Sequence, residues 1–352
     1  MQVQHSYIFD GHNDVLSRML SRSPLDYTKA FETGWDGHID VPKAKAGGLN
    51  AGFFAVYISS GGDGASIVEL MQRHGYDLPL PEQIKTGDAG PVAWQQIEIL
   101  KTLEQHGLVR ICTDVSQIKE SVENGPIAAV LHMEGAEAIG PDLAELDAFH
   151  AEGLRSLGPV WSRPTIFGEG VPFRFPSTPD TGGGLTEAGH RLVRRCNTLG
   201  IMLDVSHLNE AGFWDLASTT DAPIVATHSN VHAICPHSRN LTDKQLEAIA
   251  ESGGVVGLNY ATAMLRADGR MVAETPVAEM IRHLEHMLGI LGENGVALGS
   301  DFDGAMVPET IGDASGLGVL RSAMQDAGFG AELIEKICHR NWLDVLARTW
   351  DV

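Results

Sequence analysis

A chain of 352 residues, 43% apolar and 20% charged, can bury a large core, which excludes a disordered polypeptide. A formal charge of −21 argues against nucleic acid and anionic membranes as partners. Cys112, Cys196, Cys235 and Cys338 are too scattered for a zinc knuckle or disulfide framework; with no signal-peptide pattern and no apolar run of about 18 residues, a cytoplasmic protein is expected.

In chain order, the first apolar run, Tyr7 to Phe9, leads into Asp10-Gly11-His12-Asn13-Asp14. A strand alternates its side chains, so one extending from Ser6 to Asp14 puts His12 and Asp14 on the same face. One imidazole and one carboxylate at that spacing suit zinc or a similar ion, whereas a hydrogen-bonded turn is the plainer alternative. Seven further short apolar runs follow: Gly52 to Ile58, Ile127 to Met133, Ser156 to Trp161, Met202 to Ser206, Ile224 to Thr227, Val255 to Asn259 and Val296 to Ser300. Helical stretches stand between them, clearest at Val92 to Gln105, Leu185 to Leu199, Asp243 to Ser252 and Pro276 to Gly289.

This alternation marks parallel βα units, and eight runs predict an α/β fold of the (β/α)8 or TIM barrel type, as one domain over residues 1–352. A doubly wound open sheet would need a glycine-rich nucleotide turn, which no strand carries. Ser59 to Pro91 and Ser162 to Thr186 read as long irregular loops near the barrel mouth, with Gly61-Gly62-Asp63-Gly64 and Gly182-Gly183-Gly184 in them. Val109 to Thr113 reads as an extra strand outside the barrel.

Barrel chemistry gathers at the carboxyl ends of the strands. The third run ends on Glu134, with His132 two residues earlier on the same face; Glu134 is preferred because it stands at the lip and a carboxylate can bridge two cations. The fifth and sixth runs end on His207 and His228. His232 and His237 follow in a loop and are ranked lower. Arg239 offers a guanidinium for a substrate carboxylate, or else a structural ion pair. The eighth run ends on Asp301 and Asp303, of which Asp301 is the candidate proton carrier. Together His12, Asp14, Glu134, His207 and His228 suffice for two divalent ions sharing one carboxylate, which lower the pKa of a held water to about 7. That chemistry is hydrolysis, and no G-x-S-x-G elbow competes with it.

With these residues in place, the chain resembles the membrane dipeptidase (renal dipeptidase) family of zinc peptidases. The matching stretches are Asp10 to Asp14, Glu134-Gly135, Asp204 to His207, Thr227 to Asn230, Arg239 to Leu241, Asp301 to Gly304 and Asn341 to Leu343. The resemblance implies a zinc on His12 and Asp14, a second on His207 and His228, and Glu134 bridging them. It also implies Asp301 as acid and base, Arg239 on the carboxylate of a dipeptide substrate, tolerance of a D-residue at the second position, and a homodimer. One departure stands out: where the family has a histidine that helps hold the substrate carbonyl, this chain has Trp161, followed by Ser162 and Arg163. Zinc, Arg163 or a loop residue is expected to take over, or the substrate range to shift. The alternatives are another binuclear hydrolase, acting on a cyclic amide, lactone or N-acyl amino acid, and a non-catalytic metal-binding barrel.

Overall fold

A computed structural model describes residues 7–61 and 64–350; Ser6 and the Gly62-Asp63 part of the glycine-rich stretch lie outside the described residues. Each of the eight apolar runs forms a strand: β1 Ile8–Asn13, β2 Leu49–Tyr57, β3 Ile127–Glu134, β4 Leu154–Gly158, β5 Met202–Leu203, β6 Val225–Ser229, β7 Val255–Asn259 and β8 Val296–Gly299. Strands β1 to β5 pair in order, as do β6 to β8, all parallel. Two single bridges join these arcs into the expected barrel: Asp204, just past β5, with Val225, and Asn13 with Phe302, just past β8. The first strand therefore runs on to Asn13, while β5 breaks off after Leu203 into the turn that carries His207.

The extra strand, Val109–Ile111, pairs with the first half of β3 while β4 pairs with the second half. The two long stretches hold more order than expected. The first contains a helix, Gly64–Met71, and the start of a long one, Thr86–Gln105, rather than Val92 to Gln105. Pro91 lies inside this helix, so a residue that reads as a breaker sits in its second turn instead. Each long stretch also supplies one strand of a small antiparallel ribbon, Tyr76–Asp77 against Arg174–Phe175. A two-residue strand whose partner lies far along the chain leaves no periodic trace.

Alternation along the staves divides the core into two layers. On β2, Phe54 and Val56, with Ile58 just past its end, face outward under the helices, whereas Phe53 faces inward with Phe9, Val130, Val225 and Ala297. Trp342, on the last helix, plugs this inner layer: its ring meets Phe53 edge-on at 5.2 Å and its Nε1 donates to the Leu298 carbonyl at 3.0 Å. Only glycine fits at Gly11, because a Cβ there would lie 2.5 Å from the Thr227 carbonyl oxygen and 2.6 Å from the Trp342 ring. Among the described residues, no helix is long and apolar enough to cross a membrane.

Candidate active site

The inward face of β3 reads Val130, His132, Glu134, rising from the apolar floor to the lip. His132 stops one layer short, with its Nδ1 on the Ser156 hydroxyl at 2.8 Å. Glu134 stands at the centre of the mouth. Its Oε1 lies 3.6 Å from His12 Nε2, 2.8 Å from His207 Nε2 and 3.5 Å from His228 Nε2. Asp14 Oδ2 lies 3.3 Å from His12 Nε2, and the Nε2 atoms of His207 and His228 are 3.2 Å apart. Residues from β1, β3 and β6, and from the turn after β5, thus converge on one point.

Their outer partners decide which nitrogen faces inward. The His207 Nδ1 meets the Ser162 hydroxyl at 2.9 Å. The His228 Nδ1 donates to Thr227 Oγ1 at 2.8 Å, and that hydroxyl donates to Asp204 Oδ2 at 2.6 Å. Holding Nδ1 in this way leaves the Nε2 lone pair turned toward Glu134, the tautomer a metal ligand needs.

The donor set fits a divalent cation. Both ring nitrogens of His12 and the Oδ1 of Asp14 are buried without a hydrogen-bond partner. Two groups, His12 with Glu134 and His228, and His12 with Asp14 and Asp301, each bring three ligand atoms within 4.8 Å of one another. Burial, the nearby Arg239 and the other imidazoles hold His207 and His228 well below the ordinary histidine range, and so neutral. Burial also opposes a charge on His12, yet Glu134, Asp14 and Asp301 together raise it to about 10. Burial, with Asp14 and Asp301 as charged neighbours, pushes Glu134 well above the carboxylate range. Three carboxylates in a buried pocket with one permanently charged guanidinium, Arg239, draw in further positive charge, and the raised pKa of His12 expresses that demand.

Asp301, two residues past β8, has a left-handed backbone with φ 60°, a costly conformation for aspartate that aims its carboxylate into the mouth. Its Oδ2 accepts from Asn259 Nδ2 at 2.9 Å, and its backbone N–H donates to the His12 carbonyl at 3.0 Å. The Arg239 guanidinium is buried between the His207 and His228 segments: it donates to the Ser206 carbonyl, and its NH2 lies 3.4 Å from His207 Nε2 and 3.3 Å from the His228 carbonyl oxygen. Its Nε has no partner. Trp161 lines the rim, its ring 5.8 Å from that of His207 and 5.2 Å from that of Tyr57.

The expected role of Arg163 as a substitute for the family histidine does not hold. Arg163 is fully buried and committed elsewhere: its NH2 lies 2.6 Å from Glu137 Oε1 and 2.8 Å from the Ile58 carbonyl oxygen, and its NH1 donates to the Ser60 hydroxyl. It braces the loop beneath Trp161. The lower-ranked histidines stay out of the cluster: His232 Nε2 bonds to the Ser177 carbonyl at 2.8 Å, and His237 sits among Tyr76 and Phe173. Sequence reasoning missed Asn259, Thr227, Asp204 and Ser162. Asn259 ends β7, so reading that strand end as the others were read would have found it.

The model of the membrane dipeptidase family (peptidase family M19) matches residues 2–352. The chain belongs to that family. It is similar to a crystal structure of a metallo peptidase from Rhodobacter sphaeroides liganded with a phosphinate mimic of the dipeptide L-Ala-D-Ala, at 50% identity and a TM-score of 0.95, covering 98% of this chain and 99% of that one. A Klebsiella pneumoniae protein, described only as uncharacterised and lying in a pqqA 5' region, is 47% identical over 75% of this chain and 98% of its own. A probable dipeptidase from Pseudomonas aeruginosa, 21% identical with a TM-score of 0.82 over 99% of this chain and 96% of that one, shares the fold.

Proposed function

We propose that this chain is a zinc-dependent dipeptidase with two ions per chain, acting on L,L and L,D dipeptides. The observation that carries the reading is Glu134 Oε1 set among three imidazole Nε2 atoms, with Asp14 and Asp301 alongside. His12 and Asp14 would hold one ion, His207 and His228 the other, and Glu134 would be shared. When bound, the ions would polarise the peptide carbonyl and make water acidic enough to attack at neutral pH. The remaining steps belong to side chains.

Arg239, with its unpaired Nε, holds the substrate's terminal carboxylate. Trp161 walls the rim beside His207. Asp301, oriented by Asn259, takes the proton from water as the C–O bond forms and returns it to the peptide nitrogen as the C–N bond breaks. The Rhodobacter relative's phosphinate ligand supports the substrate class. Four unpaired, buried cysteines support a reducing compartment such as the cytoplasm.

The test is a panel of L,L and L,D dipeptides, their carboxy-terminal amides and N-acetyl amino acids. Dipeptides are expected to be cleaved and the amides to be poor substrates, since they leave Arg239 unpaired. Cleavage of N-acetyl amino acids but of no dipeptide would replace this reading with that of another hydrolase for carboxylate-bearing substrates.

A further inference from the structure

The chain lacks a histidine at Trp161, and Arg163 is fully committed to Glu137, Ile58 and Ser60. Another side chain at the lip has the right chemistry. Tyr57 ends β2 and pairs in register with Glu134, so in a parallel ladder the two side chains point the same way at the same height. Phe53 and Ala55, on the same face of β2, lie below it in line with Val130 and His132. The Tyr57 ring stands 5.2 Å from Trp161, which leads in 5.8 Å to His207. The residue is half-buried, and its phenol lies close enough to Glu134 and Asp14 to feel their charge.

The backbone there is held by a dedicated clamp. Strand β1 makes its last pair with β2 at Asn13 and Phe54, so beyond that point this edge of β2 has no ladder partner. Gln96, 1% exposed, fills the gap: its Oε1 accepts from Tyr57 N–H at 3.0 Å and its Nε2 donates to the Tyr57 carbonyl at 2.7 Å. Both ends of a buried amide are thus committed to the backbone of one residue. Such fixing is what a preorganised donor needs, because a donor already in place requires no rearrangement when charge develops.

We propose that the Tyr57 hydroxyl donates a hydrogen bond to the oxygen of the scissile carbonyl as that oxygen gains negative charge. The inference rests on the dipeptidase reading above. A phenol is un-ionised at neutral pH and has one O–H to give. Its bond to a neutral carbonyl is ordinary, whereas its bond to a developing oxyanion is charge-assisted, so the gain falls in the transition state.

The test compares Tyr57→Phe and Trp161→Phe with the parent enzyme, after zinc content and melting temperature have been measured for each. Tyr57→Phe is expected to keep both, to hold KM within about a factor of two and to lose about 100-fold in kcat. Its affinity for a phosphinate dipeptide analogue, read by calorimetry, should fall by a similar factor, since the analogue presents the tetrahedral oxyanion. Trp161→Phe should act on KM rather than kcat. A Tyr57→Phe kcat within about threefold of the parent's overturns the proposal, as does zinc loss from that variant or a kcat loss found in Trp161→Phe instead. Failure of the dipeptidase reading itself shows differently, as a parent that cleaves no dipeptide of the panel.

Discussion

The lower and upper halves of the barrel interior are built on the same staves and obey opposite rules. Below, Phe9, Phe53, Val130, Val225 and Ala297 close around Trp342, whose one polar atom is bonded to Leu298. Above, His12, Asp14 and Arg239 bury polar atoms that have no partner, and Asp301 adopts a backbone conformation unusual for its type. Strand β3 shows the change within itself, from Val130 in the floor to Glu134 at the lip. The lower half satisfies itself by packing. The upper half is complete only with a cation and a substrate, so stability and activity should separate along the barrel axis.

The sharpest way to break that comparison lies in the upper half. Asp301→Asn should lose about a thousandfold in kcat, within the range of general acid–base contributions, while retaining zinc and fold. Steady-state kinetics with metal analysis checks this; zinc loss would instead make Asp301 a ligand, a role its position beside His12 and Asp14 permits. In the lower half, Trp342→Ala should cost about 3 to 5 kcal/mol by denaturant unfolding yet leave the kcat of the folded, metal-loaded enzyme near the parent's. A large kcat loss there would show that the two halves are coupled.

His283 extends the contrast to pH. It lies on the outer helix Val277–Leu291, away from the site, with Nδ1 accepting from Val231 N–H at 3.0 Å and Nε2 donating to the Leu265 carbonyl at 2.9 Å. Burial lowers its pKa from 6.5 to about 4. The unfolded chain therefore takes up the proton first, so this stability is intact above pH 6.5 and lost as pH falls toward 4. The loss should reach about 3 kcal/mol at most, and His283→Gln should flatten the fall in urea midpoint between about pH 7 and about pH 4.5. The smallest effect is expected at Thr227→Val, which removes the partner of His228 Nδ1 and should weaken zinc affinity about 10- to 100-fold by titration of the apoprotein.

The staves were legible because each is a short apolar run, and the metal cluster because its members stand at strand ends, where the barrel gathers chemistry. Glu134 could be preferred to His132 on its place at the lip and on a carboxylate's capacity to bridge two cations, and the structure puts His132 a layer deeper. What escaped was set by contacts across the chain. The Tyr76 to Phe175 ribbon joins two irregular stretches, and the hydroxyls of Ser162 and Thr227 matter only through the imidazoles they meet. Arg163 looked available for substrate because its partner Glu137 lies on a different loop; only folding shows that the two are paired at 2.6 Å. Asn259 was passed over because an amide carries no charge to draw notice.

Metal dependence tests the whole scheme most directly. The purified enzyme is stripped with a chelator, zinc is returned in steps, and hydrolysis of an L,D dipeptide is followed throughout. Turnover that vanishes on stripping and returns in full at two zinc ions per chain is the expected result. Turnover that survives complete removal of metal would contradict a site built around Glu134 and its three histidines.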